Sequence, residues 1–505
     1  MDEYLRRPLH NSSSPRDKEP KELDKLVKWQ QERMERRLRG EYESAIMHLS
    51  EVINDNIKSR VNISSVRVEG APNTRRSFLA GIIDPAVSSC ETLEDALHAT
   101  RRISHSLQKT DIFSSIEASI DRPKDNAFAQ TGDVDLVFKT RERGRWFVSS
   151  STEVGNNEGT ASASARIRNV FGGAETFTAN MSLGTKTKRA FTASLVSPLT
   201  PKMKEFAEVQ VYGMERDLTQ HASCFEGLRG MKAVLRTGQP SWGAHELAYD
   251  AVARHIASLT PTASIRSDLD FKPYPYTYLL TRRSSIRNAA GPSFKSAVSY
   301  NFVLDTRDDR VYPSRGSYFK LATELAGAGP LRGDSRHIKG ELEAGAGRRV
   351  VEGVALNLTA RAGLLYGLNG SQTKFSDRFQ LGGPTNVRSF RMNGMGPRDG
   401  DDSIGGDLYY STGFSLVSHI PSKPEWPVKT HLWVNAGRLD SINQDKPLKE
   451  TIREALLRPA FSAGMGLIYQ FNPVRVEVNF GVPLAASSSD AMRRGIQVGM
   501  GLEFL

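Results

Sequence analysis

The residues best suited to chemistry in this chain lie between Leu381 and Arg398, in the stretch LGGPTNVRSFRMNGMGPR. At its centre is Arg388, a permanently charged guanidinium with five donors in a fixed fork. Gly382, Gly383, Pro384, Gly394, Gly396 and Pro397 punctuate the stretch and exclude a helix or a strand interior. Phe379, Leu381, Val387, Phe390 and Met392 lie in or beside it, apolar side chains that a solvated loop does not need. A loop with apolar anchors around one arginine reads as a loop that folds back into a cavity. What it brings there is charged hydrogen bonding, not bond making.

No other constellation points to an enzyme. Gly333-Asp334-Ser335 looks like a hydrolase fragment, but it lies in a turn with no assigned histidine partner. There is no phosphate-binding glycine loop and no zinc-ligand spacing, so neither a cofactor nor a metal is expected. His419 and His431 are expected to be wall residues facing inward. Cys90 and Cys224 stand far apart, with neither redox nor metal-ligand spacing, and form no disulfide framework.

The chain has 505 residues, enough for more than one domain. Its 68 Lys and Arg exceed its 57 Asp and Glu by 11, a balance suited to anionic lipid or nucleic acid. Basic motifs interleaved with aromatics are not evident, which disfavours nucleic acid. No run of about 18 apolar residues occurs, so no transmembrane helix is expected. The opening MDEYLRRPLH is acidic at once and has no apolar core, so it reads as no secretory signal and fits a mitochondrial presequence poorly. A mean hydropathy of −0.43 still permits a membrane β-barrel, which hides half of its residues as polar lumen.

Composition divides the chain into three. Residues 1–60 are highly charged, with a helical stretch near 21–58 whose apolar positions are sparse, including Ile46, Leu49 and Ile53; this reads as a solvated arm. Residues 61–143 read as a small α/β module of order β-α-α-β-β: strand Val61–Glu69, helices Thr74–Ile83 and Thr92–Thr110, and strands Ile112–Ile120 and Asp133–Thr140. From 144 to 505 only strands are expected. Val474, Val476, Val478, Phe480 and Val482 alternate with polar or small residues, and Ile496, Val498, Met500, Leu502 and Phe504 alternate with Gln497, Gly499, Gly501 and Glu503. Such alternation suits either a half-buried soluble sheet or a barrel with lipid outside and water inside.

Counting favours the barrel. Sixteen strand candidates fall between Arg145 and Leu505, at about 22 residues per strand and connection, with strands near the length a tilted span needs. The long connections follow the seventh, eleventh and thirteenth candidates, at 259–291, 369–404 and 441–458. Those after even-numbered strands are mostly short. Long loops on one side and short turns on the other are the asymmetry of a membrane barrel, for which a sandwich has no reason.

A β-α-α-β-β module ahead of sixteen strands, with a GGP and Val-Arg-Ser-Phe loop before the twelfth, resembles the BamA-like outer-membrane insertase superfamily. A single module of the POTRA type makes it most similar to the core barrel of the mitochondrial sorting and assembly machinery. The resemblance covers about 61–505 and implies an all-β transmembrane barrel of about 16 antiparallel strands, preceded by one POTRA-like domain and a helical arm. It implies integral placement in the mitochondrial outer membrane, with the arm and module in the intermembrane space. The expected partners are β-barrel precursors, peripheral cytosol-facing subunits and membrane lipids, without nucleic acid.

The family loop signature carries over as Val387, Arg388, Ser389 and Phe390, with Ser389 where glycine is usual. Ser389 is therefore expected to hold ordinary backbone angles. The Arg388 guanidinium should meet an acceptor on the inner wall: Asn435, or else Glu477, Glu503 or Asp407. By alternation Lys429, His431, Trp433 and Asn435 face inward. The resemblance places a lateral seam between the first strand (Arg145, Phe147, Ser149, Gly155) and the last (Gly495, Gly499, Gly501), where client strands would pair by edge addition. The last strand also fits the sorting signal of mitochondrial barrels through Gln497, Gly499, Leu502 and Phe504. Two other classes compete: a passive channel, which would not need the module or the apolar loop, and a two-partner secretion pore, which shares the loop but usually carries a signal and more than one POTRA.

Overall fold

The computed structural model describes residues 23–38, 56–88, 90–123, 132–155, 158–185, 187–257, 259, 286–310, 313–420, 426–443, 447–471 and 474–501. Ile46, Leu49 and Ile53 of the expected arm lie outside these residues, as do Leu502, Glu503 and Phe504. Residues 23–38 of the arm form one helix, Leu23–Leu38, and residues 56–60 lead into the smaller unit.

The chain separates into two compact units. The smaller is built on a three-stranded sheet of β1 (Asn62–Glu69), β2 (Phe113–Asp121) and β3 (Asp133–Glu142), in the order β1-β3-β2. β1 and β3 run parallel, which requires a crossover, supplied by the helices Arg76–Val87 and Leu93–Lys109. Ala96, Ala99, Ile103 and Leu107 recur at helical spacing and are buried, as are Leu136 and Phe138 of β3. Thr92 caps the second helix: its hydroxyl accepts from the Asp95 backbone N–H, while the Asp95 carboxylate accepts from the Thr92 N–H.

The larger unit is one sixteen-stranded antiparallel sheet. Its strands are β4 (Trp146–Gly155), β5 (Glu158–Arg168), β6 (Thr176–Gly184), β7 (Thr187–Pro198), β8 (Glu205–Asp217), β9 (Phe225–Gln239), β10 (Gly243–Ala257), β11 (Gly291–Asp305), β12 (Arg315–Ala326), β13 (His337–Val351) and β14 (Val354–Gly367). A two-residue hairpin, β15 (Arg398–Asp399) with β16 (Asp402–Ser403), stands apart. β17 (Leu408–His419), β18 (Val428–Asp440), β19 (Ala460–Phe471), β20 (Val474–Ala485) and β21 (Gly495–Gly501) complete the sheet. Each strand pairs with its neighbours in chain order, and β14 passes directly to β17. The sheet ends at β4 and β21, which come within contact of each other. Among the described residues no ladder joins them.

Alternation decides which side chains face in. On β18, His431, Trp433 and Asn435 are buried while Leu432 and Val434 are exposed. On β20, Glu477 and Asn479 are buried between exposed Val478 and Phe480. An apolar face turned outward and a polar one turned inward reverses the soluble pattern and fits a lipid surround. The connection from Leu368 to Asp407 supplies the interior with its own small core. Phe379, Leu381, Val387, Phe390 and Met395 pack there against Leu365, Leu439 and Ala460 of the wall.

The facing assignment has a direct test. Val434→Arg places a charge on the lipid side of β18 and should destabilise the membrane-inserted protein by about 2–4 kcal/mol. Thr192→Arg, on the opposite face of β7, should change stability by less than about 0.5 kcal/mol. Urea unfolding in lipid micelles reads both; equal losses would contradict the assignment.

Candidate functional site

The loop from Leu381 to Arg398 is folded by its own backbone. Leu381 and Met395 form a bridge, Asn393 donates to the Gly382 carbonyl and Gly383 donates to that of Val387. Gly382 takes φ +102, and a Cβ there would stand 2.9 Å from the Arg391 carbonyl oxygen. The loop is also stitched to the segment between β20 and β21. Arg391 donates to the Ala491 carbonyl, Ala491 to that of Gly394, and Arg493 to that of Ser389. The Asp490 carboxylate accepts from the Gly396 N–H at 2.9 Å.

Arg388 is fully buried inside the unit, as are Glu477 and Asn435. Its Nε and Nη2 donate to Glu477 Oε2 at 3.0 and 2.9 Å, and its Nη1 donates to Asn435 Oδ1 at 3.2 Å. Its guanidinium carbon lies 5.4 Å from the Trp433 ring centroid, a cation–π contact. The Ser462 hydroxyl donates to the Arg388 carbonyl at 2.7 Å. The acceptor is itself held in place: Asn479 Nδ2 donates to Glu477 Oε2 at 2.8 Å, and Arg475 pairs with Glu477 Oε1. His431 joins through Nε2 to Asn479 Oδ1 at 2.6 Å, so it is part of the network and not an isolated wall residue. A guanidinium out of water is stable only where its donors are answered in this way.

The structure brings together some of the expected residues and separates others. Glu477 and Asn435 are both acceptors of Arg388. Asp407 is not: its carboxylate takes hydrogen bonds from the Thr373 hydroxyl at 2.7 Å and the Ile442 N–H at 3.2 Å, beside Arg378 at 3.7 Å. Alternation gave its facing correctly, but Asp407 lies on the connection's own exit, where Arg378 reaches it first. Glu503 falls outside the described residues.

Ser389 departs from its expectation, with φ +67. This left-handed conformation costs a non-glycine residue about 1–2 kcal/mol. The turn is held from both sides, because the Ser389 N–H donates to Gln497 Oε1 at 2.8 Å while its carbonyl accepts from Arg493. A Cβ on Gly481 would come 2.4 Å from the Ser389 hydroxyl, so the wall leaves room for this side chain by having none there.

Gln497 is the link to the last strand. Beyond its bond from Ser389, its Nε2 donates to the Phe390 carbonyl at 2.9 Å, so one side-chain amide clamps the loop backbone. Gly499 stands opposite Glu477 in the β20–β21 ladder, Gly501 opposite Arg475 and Gly495 opposite Gly481. At the other edge, Ser149 shares a hydrogen bond with Ser164 at 2.8 Å, Phe147 pairs with Arg166, and Gly155 faces Glu158 across the first hairpin. Arg145 precedes β4 and donates to the carbonyls of Asn169 and Val170.

Sequence reasoning missed a second anchor. Asp377, also on the long connection, is buried and meets Arg254 of β10 at 2.8 Å and Lys295 of β11 at 3.5 Å. It also accepts from the Ser335 hydroxyl at 3.1 Å. Burial opposes its charge, but the Arg254 and Lys295 cations outweigh that and hold its carboxyl below the usual value. Glu324, His337 and Asp377 place three potential metal-ligand atoms within 4.8 Å of one another. Lys295 Nζ sits 2.6 Å from Glu324 and Arg254 already answers Asp377, so a divalent ion would enter among fixed cations. The cluster fits an ion-pair node and not a metal centre.

A profile of the Omp85 superfamily domain matches residues 169–504. The chain belongs to the Omp85 superfamily. Among superfamily relatives, a SAM50-like protein of Schizosaccharomyces pombe is 32% identical over 475 residues, 92% of this chain and 95% of the relative. The human sorting and assembly machinery component 50 homolog is 27% identical over 88% of this chain and 91% of its own. A BamA from Haemophilus ducreyi lacking POTRA domains 1–3 superposes with a TM-score of 0.68 at 15% identity, over 87% of this chain and 84% of that one. This Omp85 chain is accordingly an integral β-barrel of the mitochondrial outer membrane, with a BamA-like fold.

The buried pair should behave as a unit. Glu477→Gln strands the Arg388 charge and should cost about 3–5 kcal/mol in urea unfolding. Combined with Arg388→Met, the loss should fall well short of the sum of the two single losses. Additive losses would mean that the two side chains do not depend on each other.

Proposed function

We propose that this protein inserts and folds β-barrel precursors in the mitochondrial outer membrane by strand pairing between its first and last barrel strands. A precursor strand cannot enter hydrocarbon alone, because each unpaired backbone group costs several kcal/mol. A barrel that offers a free edge answers those groups while the client folds, with no bond made or broken. One observation carries the reading: in a sheet where every other neighbour is laddered, β4 and β21 come together without a ladder among the described residues. Relatives named as sorting and assembly components support the general role.

In this reading residues 61–143 are a POTRA-like domain in the intermembrane space, behind the arm of residues 1–60, and residues 144–505 form the barrel. The client signal displaces β21 and pairs with β4. The long connections, which follow β10, β14 and β18, then face the cytosol, where peripheral subunits bind. Val387, Arg388 and Phe390 brace the interior while the seam changes partners. Gln497 has a specific part: when β21 is displaced, a polar residue at the same place in the client signal takes over its hydrogen bonds to Ser389 and Phe390. The terminal signal also includes Leu502 and Phe504, which lie outside the described residues.

The test is disulfide crosslinking in organelles whose protein lacks Cys90 and Cys224. Single cysteines are placed along Phe147–Thr152 of β4, at Val498 of β21, and in the terminal signal of an arrested client barrel. Crosslinks in one antiparallel or parallel register are expected. If β4 crosslinks only to β21 while the client is demonstrably bound, strand lending at this seam is wrong.

A further inference from the structure

The outward face of the barrel carries a depression that the assembly reading does not use. It spans β5 to β11 and encloses about 1240 Å³. Its floor follows two adjacent cross-strand rows. One runs Ala163, Met181, Phe191, Gly213, Arg229, Ala253; the next, nearer the long-loop end, includes Arg189, Glu215, Gly227 and His255. Small residues where neighbouring strands carry large ones make this face concave. Met181, Leu183 and Phe191 are exposed around it, as suits a wall turned to acyl chains.

Arg229 is out of keeping with such a wall. It points outward from the first third of β9, and Gly213 and Ala253 flank it in the two neighbouring strands. The Arg229 stem passes over Gly213, with its Cγ 3.9 Å from where a Cβ would stand. His255 is its diagonal neighbour across the β9–β10 ladder. Among the lining residues Glu215 is the one acid, and Arg189 holds it at 2.7 Å. Lys188 adds a further cation at the rim, 3.9 Å over the Phe225 ring. Among the described residues Arg229 has no ion-pair partner.

We propose that this depression binds one anionic phospholipid, its phosphate held by Arg229 and His255 and its acyl chains laid along Met181, Leu183 and Phe191. Two observations point the same way. The face lies against the membrane, where the anion within reach of a guanidinium is a headgroup phosphate, a planar donor's preferred acceptor. The lining also carries an excess of cations over its one, already paired, carboxylate.

The probe is 1-palmitoyl-2-oleoyl phosphatidylglycerol, mixed at one part in ten with the matching phosphatidylcholine in nanodiscs holding the full chain. After release into detergent, native mass spectrometry should show one retained phosphatidylglycerol. Arg229→Leu should lower its occupancy at least fivefold, Arg229→Lys should keep most of it, and Lys202→Leu, on a turn elsewhere, should leave it unchanged. An unaltered trypsin pattern and melting curve confirm that each variant is folded. Equal retention by Arg229→Leu, or equal retention of phosphatidylcholine, overturns the proposal. So does a photoreactive residue at Met181 that labels a protein chain and not lipid in native membranes.

Discussion

One buried charge pair organises the interior of this barrel. Arg388 has left water entirely, and Glu477, Asn435 and the Trp433 face answer it. Desolvating a guanidinium and a carboxylate is costly, and their attraction compensates only when the geometry is complete. That requirement dictates much around it: Gly481 bare beneath Ser389, Asn479 bonded to the Glu477 oxygen, Ser462 on the Arg388 carbonyl. The pair does not add stability cheaply. It makes the loop's position all or nothing, because a partly inserted loop would leave both charges stranded.

The long connection therefore acts as an internal strap. Asp377 fastens it to β10 and β11, while Arg388 fastens it to β18 and β20. Between these anchors sits an apolar core that the loop itself brings in. The strap reaches the last strand through Gln497, two hydrogen bonds from one amide. β21 is thus held on one side by the β20 ladder and from within by the loop, but on its outer edge by no ladder among the described residues. Glycine at 495, 499 and 501 leaves little side-chain packing to add. Such a strand is fastened by a few directional bonds that another strand could copy, which is what partner exchange demands.

Much of this was legible in the residues. Period-two alternation and the uneven loop lengths were enough for sixteen strands, and apolar anchors around Arg388 for the inward-folding loop, since both follow from local pattern. The partner of Arg388 was narrowed but not chosen. Alternation tells which side a residue faces, whereas register along the barrel decides which of several inward acids a side chain reaches. Asp407 and Glu477 share a facing and differ only in that. Ser389 misled because the usual inference runs from residue type to backbone angle; here tertiary hydrogen bonds, one donated to Gln497 and one accepted from Arg493, impose the angle and the serine tolerates it. Asp377 gave no local signal at all, because its partners Arg254 and Lys295 lie far back in the chain. The same holds for the stitching of Ala491 and Arg493 to the loop.

The central claim is that the Arg388 pair, acting through Gln497, holds the last strand in place. Hydrogen–deuterium exchange on the membrane-embedded protein tests it most directly, comparing the natural sequence with Arg388→Met. The account predicts that amides of Gly495–Gly501 lose at least tenfold protection, while those of β10 and β11, anchored independently at Asp377, keep theirs. Unchanged protection in β21, or an equal loss throughout the sheet, would contradict it.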